Sequence, residues 1–398
     1  MTSRPPERYP DPKEFDEGLY KTLRMLPDGK TLDTAWVRSR IWDGATDTNI
    51  PKNGVIRGMQ ANMFLLEVSG DQETRTFLVK RVVPSELPGK ASEDIWREFV
   101  KSVRSEIDFY SIILEPEHAT IRNLFPQVYY SAGTPKELDV RPQETAFIII
   151  MENLSPNHYQ TPMMNFDQAK LVMTSLANLH AHFWNKVQDE ERGGFWVLQR
   201  RLKHQEVEVA DETWRRFLER FPQLRDQVQE SNLEDLGRLI KEMAPCLDHV
   251  VEQGACTRIH GDAKGWNLFF GKDGSEEKIL FIDLQWTGRG HPLQDVAYAL
   301  TTTLSPESLQ RMDDLVDFYI QVLQDELSKI GEILPPGLRD SYNQVWLDYA
   351  RVVITGLWKN LNQTSIESNK SKVGPSMINR SWEHVLFITR RISRLLNT

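Results

Sequence analysis

Residues 259–270 read IHGDAKGWNLFF, and residues 279–286 read ILFIDLQW. A polar turn containing Asp273 and Gly274 separates them, so the two apolar runs predict a small β-hairpin. Its polar residues sit at particular places. Asp262, Lys264 and Asn267 occupy a glycine-punctuated turn that leads into the first strand, and Asp283 ends the second.

On either side of this hairpin the pattern is helical. FDQAKLVMTSLANLHAHFW, residues 166–184, repeats apolar residues through Val172, Leu176, Leu179 and Phe183, and similar stretches recur near 306–330, 337–360 and 376–396. Upstream the period changes. Phe64 to Val68 and Phe77 to Val83 read as strands joined by SGDQ; then Ile95, Phe99, Val103, Ile107, Tyr110 and Leu114 mark an amphipathic helix with Ser92 as its N-cap. PQVYYSAG and TAFIIIMENL add two strands. The expected architecture is α+β and bilobal: a Pro-rich N-terminal arm over residues 1–50, a small β-rich N-lobe over 51–152, and a large α-helical C-lobe over 153–398. The polar stretch NQTSIESNKSKVGP before the last helix reads as a loop.

Composition narrows the function classes. The chain has 398 residues, of which 40% are hydrophobic and 26% charged, enough for two cores. Its formal net charge of -9 opposes non-specific binding to nucleic acid or an anionic membrane. No run is long and apolar enough for a membrane span, and the opening MTSRPPERYPDPKEF has no apolar core like a secretion signal's, so a cytoplasmic location is expected. Cys246 and Cys256 are too few for a disulfide scaffold and read as two buried free thiols.

Phosphoryl transfer needs a carboxylate to orient the attacking hydroxyl, oxygen ligands for magnesium, and positive charge on the phosphates. Asp262, Asn267, Asp283 and Lys264 are residues of those types. Magnesium is satisfied by one or two carboxylates besides other oxygens, so one Asp and one Asn suffice. At these positions the sequence resembles the protein-kinase-like small-molecule phosphotransferases, which include the aminoglycoside phosphotransferases, choline kinase and the ecdysteroid-kinase-like enzymes. HGDAKGWN fits that group's H-G-D-x-x-x-x-N loop at His260, Gly261, Asp262 and Asn267, and FIDLQ fits its metal motif at Asp283, in the form most similar to the ecdysteroid-kinase-like branch. GRGHPLQDVAYAL is similar to a following segment in which Asp295 would brace the loop. LANLHAHFW resembles that branch's helix after the hinge, so the likeness runs from about residue 55 to 305.

The resemblance implies ATP and Mg2+ in a cleft between the lobes, with Asp262 as the group that accepts or orients the hydroxyl, Asn267 and Asp283 as metal ligands, and His260 and Asp295 as support. It also implies a strand lysine paired with a helix glutamate. Lys80 in FLVKRV fits, with Arg81 beside it as the alternative, since alternation puts one on each face. Glu106 fits as partner, because Val103 and Tyr110 place it on the inward face of its helix. Backbone groups of Glu152, Asn153 and Leu154 would meet adenine. Two departures stand out. The phosphate loop IRGMQANMF has only Gly58, leaving polar contacts to Gln60 and Asn62, and Lys264 stands where many small-molecule relatives carry Trp or His. Lys264 would neutralise charge on the transferred phosphoryl group or point to water.

The acceptor is expected to be a small-molecule hydroxyl, on a bulky alcohol such as a sterol or an amino alcohol such as choline; Trp184, Trp266, Trp286, Trp346 and Trp358 could cage an ammonium or fill the core. A catalytically silent pseudokinase, a nucleotide- or ligand-responsive scaffold, is the rival reading. A protein kinase is disfavoured, because HGD replaces its arginine-containing loop and too few residues separate Asp283 from Asp295. His180 and His182, two apart on a helix, project about 200° from each other and cannot share a metal. Cys256 and His260 have no second pair of soft ligands nearby.

Overall fold

The computed structural model describes residues 17–57, 61–87, 92–161, 163–188, 210–228, 232–272, 279–359, 361, 362, 364, 366 and 381–396. The chain divides into two compact units after Asn157. The first unit holds α1 (Glu17–Leu23), α2 (Thr34–Arg40), β1 (Asp47–Asn49), β2 (Val55–Arg57), β3 (Asn62–Ser69), β4 (Thr74–Val82), α3 (Glu93–Ile113), β5 (Val128–Gly133) and β6 (Phe147–Glu152). Its sheet is antiparallel, in the order β1-β3-β4-β6-β5, with β2 also on β3. The expected strands and helix are present, and the Ser92 side chain accepts from Ile95 N–H at the start of α3.

Alternation along β4 gives the sheet two different faces. Phe77 and Val79 share a buried cluster with Phe64, Leu66, Val68, Ile148 and Ile150, and with Leu23, Leu26, Leu32, Val37, Ala45 and Ile50. Residues 17–50 are therefore a layer of this unit's core, where the sequence suggested an appended arm. Arg81 points to the same side, donating to Met25 O and making a two-pronged pair with Glu86. Lys80, one residue away, projects from the opposite face toward α3.

The second unit contains β7 (His158–Tyr159), α4 (Phe166–His182), α5 (Ala210–Arg220), α6 (Leu236–Gln253), β8 (Thr257–Ile259), β9 (Leu268–Gly271), β10 (Leu280–Phe281), β11 (Gly288–Gly290), α7 (Pro292–Thr303), α8 (Met312–Lys329), α9 (Leu338–Val352) and α10 (Trp382–Leu396). The expected hairpin is the antiparallel pair β9–β10; its turn at Asp273 and Gly274 lies outside the described residues. β7 extends it on the other side of β9, and β8 pairs with β11. Every residue of α7 is buried. A helix without a wet face belongs in the middle of a unit, and α7 packs among α4, α9 and β8.

Candidate functional site

The loop between β8 and β9 is laid along α7 in register. Asp295 Oδ2 accepts His260 N–H at 2.6 Å and its Oδ1 accepts Gly261 N–H at 2.8 Å; further along, Tyr298 Oη donates to Asp262 Oδ1 at 2.7 Å and Gly265 N–H donates to Thr303 Oγ1 at 3.0 Å. Successive loop residues thus meet successive turns of one buried helix. The two glycines explain themselves. Gly261 has φ +81°, the left-handed region that glycine enters at no steric cost, and a Cβ on Gly265 would stand 2.4 Å from Thr161 O.

Asp262 is 3% exposed, and its carboxylate is held from three directions. Besides Tyr298 on Oδ1, Oδ2 accepts from Lys264 Nζ at 2.6 Å and from Asn267 Nδ2 at 3.1 Å. Asn267 Nδ2 also donates to Asp262 O at 2.8 Å. Two oxygens facing that nitrogen fix the amide's orientation and turn its oxygen away, to where it can serve as a ligand. Burial and the charge of Asp262 push the Tyr298 hydroxyl well above the usual tyrosine range, so it remains a donor.

His260 cannot act as a base here. Its Nδ1 accepts from Asp262 N–H at 3.2 Å, so Nε2 carries the proton and donates to Ile282 O at 3.0 Å. Ile282 N–H in turn donates to Asn267 O at 3.0 Å, which stitches the strand end carrying Asp283 to the loop carrying Asp262 and Asn267. Asp283 itself has φ +61°, uncommon for a residue with a side chain and the kind of strain that gathers at functional sites.

Beneath the loop lies a residue whose part the sequence did not disclose. His180, fully buried on α4, accepts from Tyr319 Oη at 2.7 Å on Nδ1, and its Nε2 donates to Asp295 Oδ2 at 3.1 Å. Burial and the nearby Asp295 charge raise the Tyr319 hydroxyl well above its usual range, which keeps it the donor. His182, as its spacing implied, turns elsewhere and packs against Phe183; Cys246 is exposed and Cys256 half-buried, so the two free thiols are not the buried pair expected. Tyr298 and Thr303 were missed as well. Their signal lay in the sequence, three and eight residues after Asp295 on a helix with no charged face.

In the first unit, Lys80 Nζ lies 2.8 Å from Glu106 Oε2, and the two side chains are 12% and 0% exposed. Glu152 N–H donates to Gln127 O and the Glu152 carboxylate accepts from Gln127 N–H, while the Asn153 side chain accepts from Ser155 N–H and Leu154 is buried. Gly58 and Gln60 lie outside the described residues. Of the five tryptophans considered for an ammonium cage, Trp184, Trp346 and Trp358 are buried to within 1% and belong to the core; Trp266 and Trp286 are half-buried.

Residues 59–332, more than half of the chain, match the sequence profile of the "Ecdysteroid kinase-like family". No curated protein matches the chain. Among solved structures it is similar to the choline kinase LicA from Streptococcus pneumoniae, at 13% identity and TM-score 0.42, covering 89% of this chain and 96% of that one. An amicoumacin kinase in complex with AMP-PNP, Ca2+ and amicoumacin shows 9% identity and TM-score 0.47 over 87% and 88% of the two chains. Plasmodium vivax ethanolamine kinase shows 12% identity and TM-score 0.42 over 90% and 84%. No described helix is long and apolar enough to cross a membrane.

Proposed function

The chain belongs to the ecdysteroid kinase-like family, and from that premise we propose that it moves the γ-phosphate of ATP to a hydroxyl of a small molecule. The observation that carries this reading is the Asp262 carboxylate, buried, ionically paired with Lys264 and locked onto a loop braced by Asp295. Asp262 orients the acceptor hydroxyl and takes its proton as the oxygen attacks the γ-phosphorus. The bond from that phosphorus to the β–γ bridging oxygen breaks, and its electron pair leaves with ADP. Lys264 offsets the negative charge of the transferred group. Lys80, held by Glu106, orients the ATP phosphates, and peptide groups of residues 152–154 meet the adenine edge.

The donors fit magnesium. The Asn267 amide oxygen and the Asp283 carboxylate are the hard oxygen ligands that ion takes, and bound there it would neutralise phosphate charge. The acceptor is a bulky alcohol of the sterol type or an amino alcohol of the choline type. Burial of Trp184, Trp346 and Trp358 removes those three as walls of an ammonium cage.

Incubation with Mg·ATP and a mixed library of sterols, amino alcohols and sugars, read by mass spectrometry, tests the proposal. A phosphorylated product is expected from the intact protein, and Asp262→Ala should lower its rate by roughly 10² to 10⁴-fold while ATP still binds. Full turnover in Asp262→Ala removes the role given to that residue. Bound Mg·ATP without any transfer favours a pseudokinase.

A further inference from the structure

The Asp262 carboxylate has one place left among the described residues. Two carboxylate oxygens offer about four acceptor positions. Lys264 and Asn267 occupy both on Oδ2, and Tyr298 occupies one on Oδ1. We infer that Oδ1 is the oxygen that receives the proton of the acceptor hydroxyl, and that Tyr298 is a positioning residue which aims it. This deepens the proposed function and rests on it.

Tyr298 is suited to the task because it cannot move away. It lies on α7, buried all round, three residues after Asp295, the residue that grips the backbone of the same loop. Its ring stands edge-on to Tyr349, with centroids 5.5 Å apart. The carboxylate plane is consequently set by a rigid element, while the two donors on Oδ2 belong to the loop itself. Without the Tyr298 hydroxyl the group is held only at Oδ2, by donors of the loop itself, so Oδ1 loses its one fixed partner and can swing off its aim, and a base displaced by a fraction of an ångström loses rate. In the transfer, the hydroxyl proton passes to Oδ1, the acceptor oxygen bonds to the γ-phosphorus, and ADP leaves with the electrons of the broken bond. Tyr298 keeps its own proton throughout.

The experiment uses the full chain and ATP hydrolysis to ADP, with water in place of the alcohol. Tyr298→Phe removes only the hydroxyl and keeps the ring against Tyr349. Loss of one hydrogen bond to a charged group predicts a fall in kcat of the folded protein of roughly 10- to 100-fold, with KM for ATP close to that of the unaltered protein; the lost buried bond also lowers the unfolding midpoint by a few degrees, so kcat is read well below it. A purely structural tyrosine would lower the midpoint and leave kcat of the folded fraction alone, and that result overturns the inference. The cycle with Asp262→Asn decides whether Tyr298 works through Asp262. If it does, Tyr298→Phe costs nothing further once Asp262 is Asn; if the two losses multiply, the inference is wrong although the kinase reading stands. An unaltered protein that binds Mg·ATP and hydrolyses none, and transfers to no library acceptor, brings down both.

Discussion

Replacing Asp295 by Asn alters one atom and should cost the second unit much of its stability. Asp295 is fully buried, and its two oxygens accept three N–H groups, from His260, Gly261 and His180. An asparagine has one oxygen. Its best placement keeps that oxygen where Oδ2 stands, since two donors meet there, and sets the NH2 group against Gly261 N–H. One hydrogen bond to a charged acceptor is then lost, about 1.5–3 kcal/mol, and a buried donor is left facing another donor, about 1–3 kcal/mol. A neutral amide is easier to bury than a carboxylate, which offsets part of this. The net expectation is about 2–4 kcal/mol, and for a domain of this size each kcal/mol moves the midpoint by roughly 2–4 °C. Thermal unfolding followed by circular dichroism should show a fall of roughly 5–15 °C on that scale. Phosphotransfer should fall as well, because His260 and Gly261 carry Asp262. A midpoint unchanged within error, with turnover intact, would refute the idea that Asp295 holds the loop to α7.

Other perturbations test other parts of the structure. Lys80→Met leaves the Glu106 carboxylate, 0% exposed, without its 2.8 Å partner, and should destabilise the first unit by about 3–5 kcal/mol. Adding Glu106→Gln should recover most of that in urea unfolding; a double variant no more stable than the single one counts against the pairing. His291, buried at the start of α7, has its imidazole pushed from 6.5 down to about 3, chiefly by burial. The unfolded chain takes up this proton below 6.5 and the folded chain does not until about 3, so the stability it contributes is complete above 6.5 and is lost as pH falls between those values. His291→Asn keeps an acceptor for Leu293 N–H at the start of α7 and should flatten the acid slope by up to about 1.4 kcal/mol per pH unit. Identical urea midpoints against pH in both proteins would show that His291 contributes nothing to acid sensitivity.

Where a residue's fate depended on neighbours in sequence, the sequence disclosed it. Alternation in FLVKRV separates Lys80 from Arg81, and the structure sends one to Glu106 and the other to Glu86. The three-and-four spacing of residues 95–114 gives α3 with Glu106 facing inward, and Ser92 caps it. The layer formed by residues 17–50 was not visible in this way. Leu23, Leu26, Leu32, Val37, Ala45 and Ile50 lie in short pieces broken by polar residues, and they form a face only when they meet the sheet.

The same distinction governs the site. The motif residues Asp262, Asn267 and Asp283 stand out because their spacing along the chain carries chemistry. His180, Tyr298 and Thr303 do their work across gaps of 115, 36 and 38 residues, which no local period encodes. Yet PLQDVAYALTTT contains a signal that a stricter reading could have used. A helix whose every face is apolar or small will be buried all round, and any carboxylate, phenol or hydroxyl it carries must then find a partner inside the protein. Once Asp295 is taken to brace the loop, Tyr298 and Thr303 fall about 60° to one side of it and about 80° to the other at 100° per residue, so both flank the side of the helix that Asp295 presents. The polar chain that runs past that side of the helix is the loop itself, and its residues 262 and 265 are where the two hydroxyls find their partners.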